Sequence, residues 1–148
     1  MISYTRAELK HKNELIDLLT ILFSREGEFT PNERKQSDGL ELILSDSRIG
    51  TIYIALDDKK VIGMVSILNT VSTALGTRVG ILEDMIIHPE FQGNGIGGGL
   101  IRYAMEAAQT EGLGRITLLT DSDNSGAVRF YTSNGFAKSG MIPMRRQL

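Results

Sequence analysis

The chain has 148 residues, 41% hydrophobic and 23% charged, with 16 Lys plus Arg against 18 Asp plus Glu, 16 Gly, two His and no Cys. A single domain of residues 1–148 is expected, because domains usually run ~100–150 residues and a chain of this size buries roughly 68–70% of its unfolded surface. Zero Cys excludes disulfides, thiolate metal sites and an acyl-cysteine intermediate, two His leave little for a metal cluster or a Ser/His triad, and a formal net charge of −2 argues against nucleic acid as a partner.

Neither an 18-residue apolar stretch nor a signal-like start is found, so no membrane partner is expected and the cytoplasm is the expected location. In chain order, Thr5-Arg6-Ala7-Glu8 reads as a capping box. Leu15, Ile16, Leu18, Leu19, Leu22 and Phe23 then recur at helical spacing up to Gly27. Thr30-Pro31-Asn32-Glu33 repeats the start signal with Pro in the first helical position, and a second helix runs to about Ser45. Residues 51–56 are a β-rich run, Asp57-Asp58-Lys59-Lys60 a polar turn and residues 61–69 a second strand, which together make a hairpin.

A polar loop, residues 71–77, precedes a third strand, residues 78–87, that ends at His88-Pro89 because a residue before Pro avoids helical geometry. From Ile96, the residues Leu100, Ile101, Ala104, Met105 and Ala108 mark a helix that Gly112 stops. A short strand (115–120), a short helix (124–133), an Asn134-Gly135 turn and a closing strand (136–144) complete the chain. This order gives an α/β domain with a mixed sheet.

Gln92-Gly93-Asn94-Gly95-Ile96-Gly97-Gly98-Gly99 lies between a strand and a helix. There glycine lets a ligand approach the backbone, and the free amides and dipole of the helix start favour an anion. No Lys or Arg lies between Phe91 and Ile101, so a phosphate here would be held by backbone donors; close packing of helix on strand is the alternative use of the glycines. A P-loop needs a Lys-Ser or Lys-Thr pair that is missing. A dinucleotide fingerprint matches formally at Gly93, Gly95 and Gly98, but it follows a hairpin, and the position about 20 residues on falls where the helix ends.

The stretch Leu82-Glu83-Asp84-Met85-Ile86-Ile87-His88-Pro89 with Gln92-Gly93-Asn94-Gly95-Ile96-Gly97 resembles the acyl-CoA motif Q/R-x-x-G-x-G/A of the GCN5-related N-acetyltransferase (GNAT) superfamily. Residues 123–136, with Asn124, Ala127, Tyr131, Gly135 and Phe136, resemble that superfamily's N-x-x-A-x-x-x-Y-x-x-x-G-F segment. The resemblance covers residues 78–137 and implies a mixed, mostly antiparallel central sheet flanked by helices, with an acyl-CoA cleft between splayed strands. It implies acetyl-CoA as the acyl donor, no metal, and an acetyl group passed directly to a primary amine. Main-chain groups of Met85 and Ile87, with Ile86 between them, would pair with the pantetheine arm. The loop amides of Gln92, Gly93, Asn94, Gly95, Ile96, Gly97 and Gly98 would hold the pyrophosphate, and Asn124 would contact the pantetheine while capping the next helix.

Tyr131 matches the tyrosine that hydrogen-bonds the CoA sulfur and serves as general acid. For the base, an amine of pKa ~10.4 is neutral only about one part in 2,500 at pH 7, roughly 4.6 kcal/mol uphill, so the enzyme must accept a proton. Strand alternation puts Glu83, Met85 and Ile87 on one face, which makes Glu83 the first candidate, acting through a water if needed. Asp84 is held in reserve because a bulge would change the parity, and a structural ion pair is the competing role for either carboxylate. His88 is expected to be a solvent-facing strand end.

Six acids (Glu26, Glu28, Glu33, Asp38, Glu41, Asp46) against two bases (Arg34, Lys35) lie between residues 26 and 46, where the resemblance places the border of the acceptor site; an ordinary solvated helix face is the first explanation for them, an acidic lining for a cationic amine the second. Phe29 and Tyr53 could wall that site or belong to the core. A small-molecule amine is the expected acceptor, with a protein N-terminus or lysine, or a non-catalytic acyl-CoA-binding role, as alternatives. The resemblance leaves room for a homodimer through the late strand.

Overall fold

The computed structural model describes residues 1–26 and 30–148. Five strands form one sheet in the order β1-β2-β3-β4-β5: β1 (Ile2–Arg6), β2 (Gly50–Asp57), β3 (Lys60–Ser72), β4 (Thr77–Ile87) and β5 (Ile116–Leu118). The first four pair antiparallel and β5 joins β4 in parallel, a mixed and mostly antiparallel sheet. Among the described residues four α-helices flank it: α1 (Lys12–Arg25), α2 (Glu33–Leu44), α3 (Ile96–Thr110) and α4 (Ser125–Ser133).

The long strands follow from composition. Residues 61–67 of β3 are buried without interruption, so the strand carries Val, Ile and Met on both faces and needs cover on both. One face, with Tyr53, Val65, Ile67, Leu82 and Ile87, packs against Leu100, Ile101 and Ala104 of α3. The other, with Ile52, Ile54, Met64 and Ile86, packs against Leu15, Leu18 and Leu19 of α1 and Leu40 of α2. Buried Gln36 stitches the two helices on this side: it donates to the Ile16 carbonyl (3.2 Å) and the Thr20 hydroxyl (3.0 Å) and accepts from the Asn32 N–H (2.8 Å).

Several local expectations change. No capping box forms at Thr5, because Thr5 and Arg6 belong to β1, Thr5 opposite Ile54. The exposed edge of β2 recruits the β-branched and aromatic residues of the first segment, and the chain turns later, where the Glu8 N–H donates to His11 Nδ1 (2.9 Å). The start of α2 shifts two residues, with Asn32 Oδ1 accepting from the Lys35 N–H at 3.0 Å. The loop expected at 71–77 is shorter: β3 runs on to Ser72, β4 starts at Thr77, and residues 73–76 make the turn between them. The closing strand at 136–144 is absent; Phe136 packs against Tyr131, and beyond it Met141, Ile142 and Met144 are exposed in a segment interrupted by Gly140 and by Pro143, which has no N–H to give to a ladder. Gly27, Glu28 and Phe29 lie outside the described residues.

Candidate active site

Strand β5 accompanies β4 for three residues only, Gly80↔Ile116, Ile81↔Thr117 and Leu82↔Leu118. Past Leu82 no strand among the described residues pairs with that side of β4, and a cleft of about 610 Å³ opens between β4, the start of α3 and helix α4. On the other side, the His88 N–H donates to the Ile62 carbonyl (2.7 Å), and Ile87 and Met85 stand opposite Gly63 and Val65. Antiparallel alternation therefore turns the N–H and C=O groups of Met85 and Ile87 away from β3, toward the cleft. The Ile87 carbonyl is already used: it accepts from Gln92 Nε2 at 2.8 Å, which ties the glycine loop to the strand.

Met85, Ile86, Ile87, Gln92, Gly93, Gly95, Ile96, Gly97, Gly98, Asn124 and Tyr131 all line this one cleft. Asn94, Glu83 and Asp84 do not. The Asn94 side chain donates back to the Phe91 and Gln92 carbonyls (3.3 Å each), so it shapes the turn. Gly93 and Gly95 sit at φ +81° and +77°, left-handed values that favour glycine, and Gly95 is the N-cap of α3. The first turn of α3 borders the cleft, and its Gly97 and Gly98 place no side chain of their own over the free amides of the helix start, which favour an anion. Gly99 serves packing: a Cβ there would collide with the Tyr4 hydroxyl, so this glycine admits β1's tyrosine and leaves the loop's ligand surface to its predecessors. Asn124 caps α4, its Oδ1 accepting from the Ala127 N–H (3.1 Å), and lines the cleft as well.

Tyr131 stands on α4 with its ring edge-on to Phe130 (5.2 Å) and Phe136 (5.7 Å). Burial, and then the charge of Glu26, push its hydroxyl up to about 12. The group is thus a firmly neutral donor at pH 7.

The register of β3 against β4 slips at one place. Val65 faces Met85 and Ile67 faces Leu82, so the single residue Ser66 opposes both Glu83 and Asp84. Leu82 and Met85, three apart, pack in the same core cluster, and the simple alternation expected for Glu83, Met85 and Ile87 is broken by this bulge. Glu83 is exposed, whereas Asp84 is half-buried with its N–H on Ser66 Oγ (3.1 Å). Burial first, then the charges of Glu83 and Glu26, raise the Asp84 carboxyl to about 6, against a smaller opposing effect of the Ser66 hydroxyl. The charge of Glu26, at the end of α1, acts on both Asp84 and Tyr131; of the three, Tyr131 lines the cleft.

Other candidates fall elsewhere. His88 Nδ1 accepts from the Glu90 N–H (3.2 Å) and its ring meets Phe91 edge-on, which makes it the cap of the turn after β4. Tyr53 is core, 2% exposed against Tyr103. Of the acidic segment, Glu41 pairs with Lys12 (2.6 Å) and Asp46 with Arg48 (2.9 Å), and Glu33 and Asp38 are exposed. Leu22, Arg25, Phe91, Ala127 and Phe130 line the cleft without having been singled out from the sequence. For Ala127 and Phe130 the signal was their place inside the second motif, and for Phe91 its place directly before the first; Leu22 and Arg25 reach the cleft only through the packing of α1. Among the described residues no group of His, Asp and Glu is placed to hold a metal ion, and no helix is long and apolar enough to cross a membrane.

A mixed sheet parted between its fourth and fifth strands over the start of a glycine-led helix is the fold of the N-acetyltransferases. The chain belongs to the acetyltransferase (GNAT) family, whose model matches residues 13–136, and it is an N-acetyltransferase domain of that family. An uncharacterised N-acetyltransferase of Bacillus subtilis (strain 168), YhfO, is 31% identical over 120 residues, 78% of each chain. Another from Methanocaldococcus jannaschii is 31% identical over 74 residues, half of this chain; the match spans a third of that relative's length. The fold of the aminoglycoside N-acetyltransferase AAC(6')-Iy, solved in complex with CoA, superposes with a TM-score of 0.82 over 99% of this chain and 95% of that one, at 17% identity.

Proposed function

We propose that residues 1–148 act as one catalytic domain, a cytoplasmic acetyl-CoA-dependent N-acetyltransferase that passes an acetyl group directly to the primary amine of a small molecule. The observation that carries this reading is the open edge of β4 beside the start of α3: a strand edge that can hydrogen-bond an amide-bearing arm leads to helix amides that can hold a diphosphate. Pantetheine and pyrophosphate have those two chemistries in that order, and CoA is bound by the solved relative. The donor is a cytoplasmic metabolite, which supports that compartment.

In this reading the Met85 and Ile87 main chain and Asn124 hold the pantetheine arm, and the amides from Gly93 to Gly98 hold the pyrophosphate. A backbone donor of β4 near the thioester polarises the carbonyl and stabilises the oxyanion as the amine attacks. Tyr131 donates a hydrogen bond to the departing sulfur. With its hydroxyl near 12 and a thiol near 8.5, full proton transfer would be roughly 5 kcal/mol uphill, so stabilising the thiolate is its work.

Asp84 takes the amine's proton, through a water or directly, in preference to Glu83. A carboxyl near 6 is ionised at pH 7 yet is a stronger base than an ordinary aspartate, and it is the shielded member of the pair. Glu83 and Glu26 add negative charge that favours a cationic acceptor arriving at this end.

CoA release measured against a panel of small amines, N-terminal peptides and lysine peptides tests the reading. Turnover on small amines is the expected result; turnover confined to peptides would replace the acceptor class, and acetyl-CoA binding without any turnover would make the protein a binding module.

A further inference from the structure

Ser66 is the polar interruption in the buried run of β3, 1% exposed between Val65 and Ile67 on the strand at the centre of the sheet. A buried hydroxyl is costly unless it has partners, and a serine placed among Val, Ile and Met has no packing reason to be there. Its partner is the bulge. Because β4 carries one residue more than β3 at this point, the ladder cannot serve every N–H, and the Asp84 N–H goes to Ser66 Oγ at 3.1 Å.

We propose that Ser66 is a positioning residue for acetyl transfer: its hydroxyl pins the β4 bulge and so fixes where the Asp84 carboxyl stands. The inference rests on the assignment of Asp84 as the base. Two consequences follow from one hydroxyl. It anchors the backbone at the residue where the strand changes parity, one position before the open edge begins at Met85. The hydroxyl also favours the ionised form of the Asp84 carboxyl, against burial and the charges of Glu83 on the same strand and Glu26 at the end of α1. Among the described residues these are the charged groups that act on this carboxyl; β3 contributes the hydroxyl.

Removing the hydroxyl leaves the N–H without its acceptor and lets the carboxyl drift and hold its proton more tightly. In the full-length protein, Ser66→Ala is expected to lower kcat about tenfold or more with KM for acetyl-CoA nearly unchanged. The acid limb of its kcat/KM profile should move up by about half a pH unit. A ¹³C titration of the Asp84 carboxyl should report the same upward shift without any acceptor present. Ser66→Thr, which keeps the hydroxyl, should restore both the limb and the rate; if the alanine variant is too unstable to assay, Thr against Val at position 66 poses the same contrast at equal volume.

A lowered melting temperature with an unmoved limb and an unmoved Asp84 titration would reduce Ser66 to a structural residue and overturn the proposal. The assignment beneath it has a separate test: if Asp84→Asn keeps the wild-type limb, Asp84 is not the base, whatever position 66 does.

Discussion

Strand β4 is two different strands joined end to end. Its first half, residues 77–82, is hydrogen-bonded on both edges: the Gly80 N–H donates to the Arg115 carbonyl (2.8 Å), the Gly114 N–H to the Arg78 carbonyl (2.9 Å), and β3 holds the other side. Its second half, residues 83–87, begins with a bulge and keeps a partner on one edge only. The first half satisfies the backbone by pairing; the second leaves N–H and C=O groups facing a cleft that can receive a ligand. Strand pairing is strong enough that a ligand edge has to be created by removing the neighbour, and the parting of β5 after Leu118 does that.

Substitutions in the two halves should separate chemistry from stability. The largest effect is expected from Asp84→Asn in the second half: kcat should fall about 10²–10⁴-fold and the acid limb of the pH profile near 6 should vanish. The same variant should be more stable at neutral pH. Folding raises this carboxyl's affinity for its proton, so its favourable contribution is complete below the unfolded pKa near 4 and is lost as pH rises through about 6. At pH 7 the buried charge opposes folding, and the amide should recover roughly 1–2 kcal/mol in urea unfolding, an advantage that disappears at pH 4. Loss of activity together with loss of stability would mean that Asp84 is a structural group.

Tyr131→Phe comes next. A fall of about 10–100-fold in kcat with acetyl-CoA affinity nearly intact would fit a donor to the leaving sulfur; unchanged turnover would remove that role. The smallest effect on catalysis belongs to the first half of β4. A Cβ on Gly80 would come within 2.6 Å of Ile116 Cδ1 and 2.8 Å of Ile67 Cγ2, so Gly80→Ala should cost about 1–3 kcal/mol of stability by overpacking. Its kcat per folded molecule should stay near wild type. A large kcat loss there would show that the two halves are mechanically coupled.

How much of this was legible in the sequence varies with how local the cause is. The hairpin of β2 and β3, helix α3 from Ile96 and the cap at Asn124 are written in periodicity and turn residues within a few positions of one another. The glycine loop was legible because its residue types are needed for the backbone they adopt. Strand β1 was missed because its partner is residues 53–57, and nothing in Ile2-Ser3-Tyr4-Thr5-Arg6 outweighed a Thr-x-x-Glu pattern that resembles a helix start. The bulge was equally hidden. It depends on a serine across the ladder, and the parity rule gave Glu83 first place because a regular strand was assumed. The late strand failed for a different reason: Phe136, Met141 and Ile142 have strand-forming side chains, but Gly140 and Pro143 interrupt the run, and the segment does not pair with the outer edge of β5.

Tyr4 gives the N-terminal strand a hold on a helix far away in the chain. Its ring stacks on Tyr103 (6.0 Å), its hydroxyl donates to the Ile96 carbonyl (3.4 Å), and it occupies the space that Gly99 leaves open. Positions 4 and 99 therefore behave as a matched pair of shims beneath the first turn of α3. Trading bulk between them would tilt that turn, and with it the cleft-lining Ile96, Gly97 and Gly98, without changing the identity of any cleft residue. If that turn holds the donor's pyrophosphate as proposed, donor affinity is set in part from the back of the helix, by a residue that does not line the cleft.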